Sequence, residues 1–239
     1  MQENKFSLIY HDLAQKIRHQ DLATGSLLPT ENELCELYQT SRETVRKALA
    51  MLVRHGYIHK IQGKGSVILD VSRFDFPVSG LTSFQELASH SDEPWETTVH
   101  RLVLMRPDNA LKQLLTITED QYLWKVIRSR KVAGETVILD TDYLLQDVIP
   151  MLTEDVCAHS IYAYIEDELN LKIGFAKKQI TVEPVSQMDR QYLSIKAPTS
   201  IVVVRSLVYL DSTQLFQYTE SRHRADKFRF VDFARREHV

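Results

Sequence analysis

Two arginines stand four residues apart in Ser41-Arg42-Glu43-Thr44-Val45-Arg46. On a helix that spacing sets them side by side on one surface. A guanidinium presents a planar fork that can bond guanine O6 and N7, or a phosphate, through two N–H groups. Further along, Gln62-Gly63-Lys64-Gly65 offers two glycines for a tight turn, exposed backbone N–H groups and a lysine, all suited to phosphate or the minor groove. Both chemistries are those of DNA contact. A second arginine pair lies in Trp124-Lys125-Val126-Ile127-Arg128-Ser129-Arg130-Lys131-Val132. On a strand Arg128 and Arg130 share a face with Trp124, Val126 and Val132. Two cations among apolar neighbours are costly without a partner. A bound phosphate would satisfy both. So would Asp140 and Asp142, which share a face of the next strand.

Residues that could do catalysis are not arranged for it. His55 and His59 straddle the glycine that ends a helix, and there is no HExxH, CxxC or clustered His/Asp set for a metal. No Gly-x-Ser-x-Gly elbow is present, and Glu166, Asp167 and Glu168 are adjacent on a helix. Neither an enzyme nor a cofactor or metal is expected. Cys35 and Cys157 lie far apart and read as packing residues rather than a disulfide.

The DNA-facing residues need a frame, and residues 1–70 supply one. Phe6, Ile9, Leu13 and Ile17 recur at helical spacing. Thr30 precedes Glu33 by three residues, a capping box that opens a second helix at about 31–38, burying Leu34 and Leu37. After a turn at Gln39-Thr40, the Ser41 hydroxyl caps a third helix with a buried stripe of Val45, Ala48, Leu49, Leu52 and Val53. Gly56 ends it. Two short strands, 57–61 and 66–69, flank the glycine turn. Helix, helix, turn, helix, hairpin is a winged helix-turn-helix, whose third helix enters the major groove. A small helical bundle with solvated arginines would share the same spacing.

Charge distribution agrees with the first reading. The 239-residue chain has a net charge of −3, yet residues 40–69 hold six basic side chains against one acidic. A basic stripe on an otherwise acidic protein is a local nucleic-acid footprint. No apolar run is long enough to span a membrane, and the N-terminus lacks a signal-peptide pattern, so a cytoplasmic location is expected.

Residues 71–79 read as a linker and 80–239 as an α+β domain on an antiparallel sheet. Strands are predicted at 97–104, 122–132, 136–144, 173–183, 201–210, 214–224 and 228–233, and helices at 83–89, 109–115, 160–169 and 187–193. Ala133-Gly134-Glu135 and Asp211-Ser212-Thr213 form hairpin turns. Val126-Ile127-Arg128-Ser129 and Val203-Val204-Arg205-Ser206 hint at two similar hairpins in one sheet.

The stretch from Leu28-Pro29-Thr30-Glu31 through the Ser41–Arg46 segment to Gly63-Lys64-Gly65 resembles the DNA-binding head of the GntR family. Thr30 stands for the usual Ser and keeps the cap. Asn32 stands where several members carry a basic residue that touches DNA. The segments FPVSGLTSFQELA, VIRSRKVAGETVILDTDY, SIYAYIEDELNLKI and QLFQYTESRHRADKFRFVDFARR resemble the UTRA effector domain of the HutC branch, with a chorismate-lyase-like fold. In the head the resemblance implies DNA contacts from Thr30, Ser41, Arg42, Thr44, Arg46, Gln62, Gly63, Lys64 and Gly65. In the larger domain it implies that Leu81, Thr82, Arg128, Ser129 and Arg130 hold a phosphate with Ser160 nearby. Asp140, Tyr162, Gln217 and His223 would then meet a sugar, and Arg235 or Arg236 would close the pocket. The likeness is greatest to regulators of trehalose use, which implies trehalose 6-phosphate as effector. A homodimer on a near-palindromic double-stranded operator is expected, with half-sites about one helical turn apart. The rival readings are a repressor of the same build tuned to another phosphorylated sugar or a carboxylate, and an enzyme on the lyase-like domain.

Overall fold

The computed structural model describes residues 4–69, 94–118, 120–195 and 200–230. The chain divides into two compact units, here taken separately. The expected linker, the helix at 83–89, and Leu81, Thr82, Arg235 and Arg236 lie outside the described residues.

In the first unit α1 (Lys5–Arg18) buries Ile9, Leu13, Ala14 and Ile17. Helix α2 (Glu31–Leu37) starts on the predicted capping box, with Thr30 accepting from the Glu33 amide and Glu33 reaching back to the Thr30 amide. Helix α3 (Arg42–Arg54) starts on Ser41, which accepts from the Thr44 amide. Gly56 follows its end at φ 74°, where a side chain would be strained. The core gathers Leu34, Val45, Ala48, Leu49, Leu52, Ile58 and Ile68.

One expectation fails here: Leu37 is 62% exposed. The helix turns Leu34, Cys35 and Tyr38 inward instead, so its buried face follows an i, i+1, i+4 pattern. Val53 sits at the margin of the core rather than inside it. Strands β1 (Ile58–Ile61) and β2 (Gly65–Ile68) pair antiparallel. Residues 26–28 bond back to Ser66 and Ile68, which gives the hairpin a further extended neighbour that the pattern did not reveal.

In the second unit six antiparallel strands form one sheet. They are β3 (Trp95–Met105), β4 (Leu123–Val132), β5 (Glu135–Leu145), β6 (Ile173–Pro184), β7 (Ser200–Leu210) and β8 (Leu215–Arg224), in the order β3-β4-β5-β8-β7-β6. Helix α4 (Asn109–Leu115) follows β3, and α5 (Glu154–Ala158) was not anticipated. Five residues are too few to display a helical period. Helix α6 (Ile161–Ala163) runs into a π-helical turn (Tyr164–Glu168), and α7 (Gln187–Tyr192) precedes β7.

Cys157, Ile161 and Ile165 pack with Val126, Leu144 and Val208 on one face of the sheet. Leu193 and Met188 pack with Ile127, Leu139, Ile201 and Val203 on the other. The predicted strand at 228–233 does not form over its described part. Ala225–Lys227 makes a 3-10 turn, and Phe228 sets its ring edge-on to His223, centroids 5.0 Å apart.

The two similar hairpins are β4–β5 and β7–β8, and they meet along β5–β8. Their arginines part company. Cross-strand register puts Arg128, Asp140, Ser221 and Val204 in one row on one face, and Arg205 with Glu220 on the other. There Arg205 pairs with Glu183 and Glu220, and Arg222 pairs with Asp189 and Glu220. Those arginines bind α7 and the edge strand to the sheet.

Candidate functional site

The head presents its predicted contact residues on an outer surface. Arg42, Arg46, Gln62, Gly63, Lys64 and Gly65 are exposed. Gly63 at φ 78° turns the wing, with the Lys64 amide bonding the Ile61 carbonyl at 3.1 Å. Thr30, Ser41 and Thr44 are engaged in capping: the Thr30 hydroxyl reaches Glu33 at 2.8 Å, and Ser41 Oγ lies 2.9 Å from Thr44 Oγ1. These residues fix the starts of α2 and α3, so they set where the arginines stand. Arg46 Nε donates to Glu31 Oε2 at 2.9 Å, and Arg42 Nε donates to Asn32 Oδ1 at 3.0 Å.

In the second unit the arginine pair has protein partners. Arg128 Nη2 meets Asp142 Oδ2 at 2.6 Å, and Nη1 donates to the Cys157 carbonyl at 3.1 Å, at the end of α5. Arg130 Nε meets Asp140 Oδ2 at 2.9 Å, and Nη1 donates to Thr97 Oγ1 at 2.6 Å. The pairing with Asp140 and Asp142, one of the two partners the sequence allowed, is therefore present. Burial works against the Asp140 charge, yet Arg130, Arg128 and the Ser221 hydroxyl hold its carboxyl below the ordinary value.

Strand β8 completes the face from the neighbouring hairpin. Gln217 Nε2 donates to Asp142 Oδ1 at 2.9 Å, and Ser221 Oγ donates to Asp140 Oδ1 at 2.6 Å. His223 lies opposite Ile138, on the same face. The structure thus brings together Arg128, Arg130, Asp140, Gln217 and His223. Ser160 is buried and caps α6 through the Ala163 amide, while Tyr162 packs on the apolar cluster of that same face.

Ser129 is a correction. Alternation turns it to the opposite face, where its Oγ lies 2.8 Å from His100 Nε2, and the His100 ring leans on Tyr192. Its side chain therefore does not join the two arginines between which it stands in sequence. Two residues of this face escaped the sequence reading, Thr97 and Ser221, and Asp142 entered it only as an alternative partner of the arginines. Ser221 was within reach, since Gln217, Ser221 and His223 alternate on one strand face.

Two atoms of this face are buried without a hydrogen-bond partner among the described residues: Arg128 Nε and Gln217 Oε1. One is a donor and the other an acceptor, and both flank Asp142. A polar ligand carrying hydroxyl and anionic oxygen atoms could satisfy both. Cys157, fully buried above them, has its thiol pushed up to about 11 by burial, which fits a packing role. Among the described residues there is no group of three or more His, Cys, Asp or Glu placed to hold a metal ion. No helix among them is long and apolar enough to cross a membrane.

Burial brings the His223 imidazole down to about 4, against an opposing pull from the Asp140 charge. Unfolding returns it to an ordinary value near 6.5, so between those limits the unfolded chain binds more protons. Stability is then full above about pH 6.5 and declines as pH falls toward 4, by about 3 kcal/mol from this group. Urea unfolding across that range should show a steeper loss in the native protein than in His223→Gln. Equal slopes would mean that His223 is not the titrating group.

Two family models match the chain: bacterial regulatory proteins of the gntR family over residues 7–68, and the UTRA domain over residues 92–229. The chain is 52% identical over 236 residues to the HTH-type transcriptional regulator TreR of Bacillus subtilis, covering 99% of each. It is 30% identical over 235 residues to the mannosyl-D-glycerate transport/metabolism system repressor MngR of Escherichia coli, covering 95% of this chain and 96% of that one. Among solved structures, that of the possible transcriptional regulator YydK from Bacillus subtilis superposes with a TM-score of 0.80 at 25% identity, covering 97% of this chain and 99% of the other. The effector binding domain of the Bacillus subtilis trehalose repressor TreR superposes with a TM-score of 0.55 at 51% identity, covering 60% of this chain and 99% of that domain. These relatives are regulators of transcription, in agreement with the expectation of a protein that is not an enzyme.

Proposed function

The chain belongs to the GntR family of bacterial transcriptional regulators, with a UTRA domain after the DNA-binding head, and we propose that it represses a trehalose-utilisation operon and leaves its operator on binding trehalose 6-phosphate. The observation that carries this reading is the likeness to TreR, which runs along both chains almost end to end. The chemistry of the Arg128 face supports it. Hydroxyls of a sugar have Asp140, Asp142, Ser221 and Gln217 to meet, and a phosphate has two guanidiniums.

An incoming phosphate competes with Asp142 and Asp140 for the arginine donors. Ligand binding and rearrangement of these pairs are then one step. Such a step gives the effector different contacts in two states of the domain, which is what allosteric coupling requires. In this reading the protein acts as a homodimer, with two heads on two half-sites about one helical turn apart. A coupling of about 1–3 kcal/mol would relieve repression roughly 5–150-fold.

A thermal-shift panel on the full chain tests the effector. It should include trehalose 6-phosphate, trehalose, glucose 6-phosphate, an N-acetylamino-sugar 6-phosphate, a glycosyl-glycerate and inorganic phosphate. Trehalose 6-phosphate should give the largest rise in Tm, equivalent to about 2.7 kcal/mol at a hundredfold excess over Kd. It should also release a bound operator fragment. A larger shift with another member of the panel would replace trehalose 6-phosphate as the effector.

A further inference from the structure

Arg42 and Arg46, the two exposed arginines in the first half of α3, are not loose side chains. Each is held by one of the first two residues of α2. Glu31 Oε2 accepts from Arg46 Nε at 2.9 Å, and Glu31 Oε1 lies 3.6 Å from Lys60 Nζ on β1. The carboxylate therefore ties three elements of the head together. Asn32 Oδ1 accepts from both Nε and Nη2 of Arg42, at 3.0 and 2.5 Å. These are surface contacts: the side chains of Arg46 and Glu31 are 63% and 31% exposed. Their net contribution to folding is accordingly small, and stability is a weak reason for a carboxylate to stand on a surface meant for a polyanion.

The geometry points to a different role: Glu31 and Asn32 are positioning residues that set how selectively this head reads its DNA, with Glu31 presenting Arg46 end-on for a base edge. Anchoring Arg46 by Nε orients the guanidinium plane and leaves the end-on edge, one N–H of each Nη, for another acceptor. Two parallel N–H donors from the Nη pair are the fork that guanine O6 and N7 accept. Arginine carries about 2 kcal/mol of rotamer entropy, and a side chain already held loses less of it on binding.

Arg42 differs, because Asn32 occupies Nε and one Nη on a single oxygen. Three N–H donors remain, the end-on pair among them, and the anchor is an uncharged oxygen. The Glu31 charge adds a second effect. It offsets part of the attraction of Arg46 and Lys60 for phosphates, which is independent of sequence. Binding to arbitrary DNA is thereby weakened while the aimed fork is kept. The hydrogen bond from Arg46, with the charges of Arg46 and Lys60, holds the Glu31 carboxyl below its ordinary value, so the charge persists across the physiological range.

This inference rests on the head being a reader of specific DNA, and the experiment separates the two. The full-length native protein first selects duplexes from a random pool, and absence of any enriched sequence would sink the DNA-reading role itself. With an enriched duplex in hand, its affinity is compared with that of a scrambled duplex of equal composition at several salt concentrations. Glu31→Ala should bind the scrambled duplex several-fold more tightly and lose at least tenfold in the ratio of selected to scrambled affinity. Glu31→Gln keeps an acceptor for Arg46 Nε but no charge. It should bind both duplexes more tightly and lose less of the ratio. Asn32→Ala should lower the ratio by a smaller factor than Glu31→Ala. Thermal melting of each variant confirms a folded head. If the ratio in Glu31→Ala stays within twofold of the native value, whichever way both affinities move, Glu31 has only a structural role and the inference is overturned.

Discussion

Replacing Arg128 with alanine should destabilise the effector domain by about 3–5 kcal/mol, a large part of the stability of an ordinary domain. The reason lies in what stays behind. Asp142 has a side chain only 4% exposed, and Arg128 is its ion-pair partner at 2.6 Å. Without the guanidinium, a buried carboxylate keeps only the Gln217 amide, and the Cys157 carbonyl loses its donor. The cost is that of an orphaned charge, not the value of the pair. The double variant Arg128→Met, Asp142→Leu should therefore recover most of the loss, since apolar replacements of similar volume remove both charges from the interior. Denaturant unfolding of the isolated transitions measures this. A loss below about 1 kcal/mol in the single variant would mean that water reaches Asp142 and screens it. The double variant also separates stability from induction. It should fold, bind the operator and fail to respond to trehalose 6-phosphate.

Arg46→Ala should weaken operator binding by about 1–3 kcal/mol, lower sequence discrimination and leave effector binding unchanged. The upper end is expected, because the substitution also releases Glu31 from its partner at 2.9 Å on the same surface of the head. A carboxylate left with only Lys60, 3.6 Å away, would then meet the phosphates. Combining Arg46→Ala with Glu31→Ala should restore part of the lost affinity without restoring selectivity. Gel shifts with calorimetry of effector binding on the same preparations report both properties. Undiminished operator affinity in Arg46→Ala would remove α3 from the interface.

Much of the head was legible because its determinants are local. A hydroxyl three residues before Glu33, another before Thr44, and apolar residues at i, i+3, i+4 each act within a turn or two of the chain. Leu37 shows the limit: a helix of two turns has several faces of similar hydrophobicity, and packing in the shared core of the head chose the one with Leu34, Cys35 and Tyr38. In the sheet, alternation marked most strands within a residue or two, but it contains nothing about neighbour order. That β5 lies against β8 decides that Gln217 and Ser221 reach Asp142 and Asp140. Without it, Gln217 and His223 could be placed only by family resemblance. Ser129 was placed with the arginines by the same resemblance, whereas the two-residue period of β4 turns its side chain to the opposite face. The partners of Arg128 and Arg130 were legible only as a choice between a phosphate and two aspartates.

The seam between β5 and β8 has a bearing on the order in which the protein becomes functional. Asp140 and Ser221 are 81 residues apart along the chain, and Asp142 and Gln217 are 75 apart. Contacts of such separation form late, after the entropy of closing a long loop has been met. The head closes through local contacts at the end of the chain that leaves the ribosome first. A chain still being made therefore has a finished reader of DNA before it has any face on which to receive an effector. A copy in that state has no means of answering an effector until β8 has joined β5.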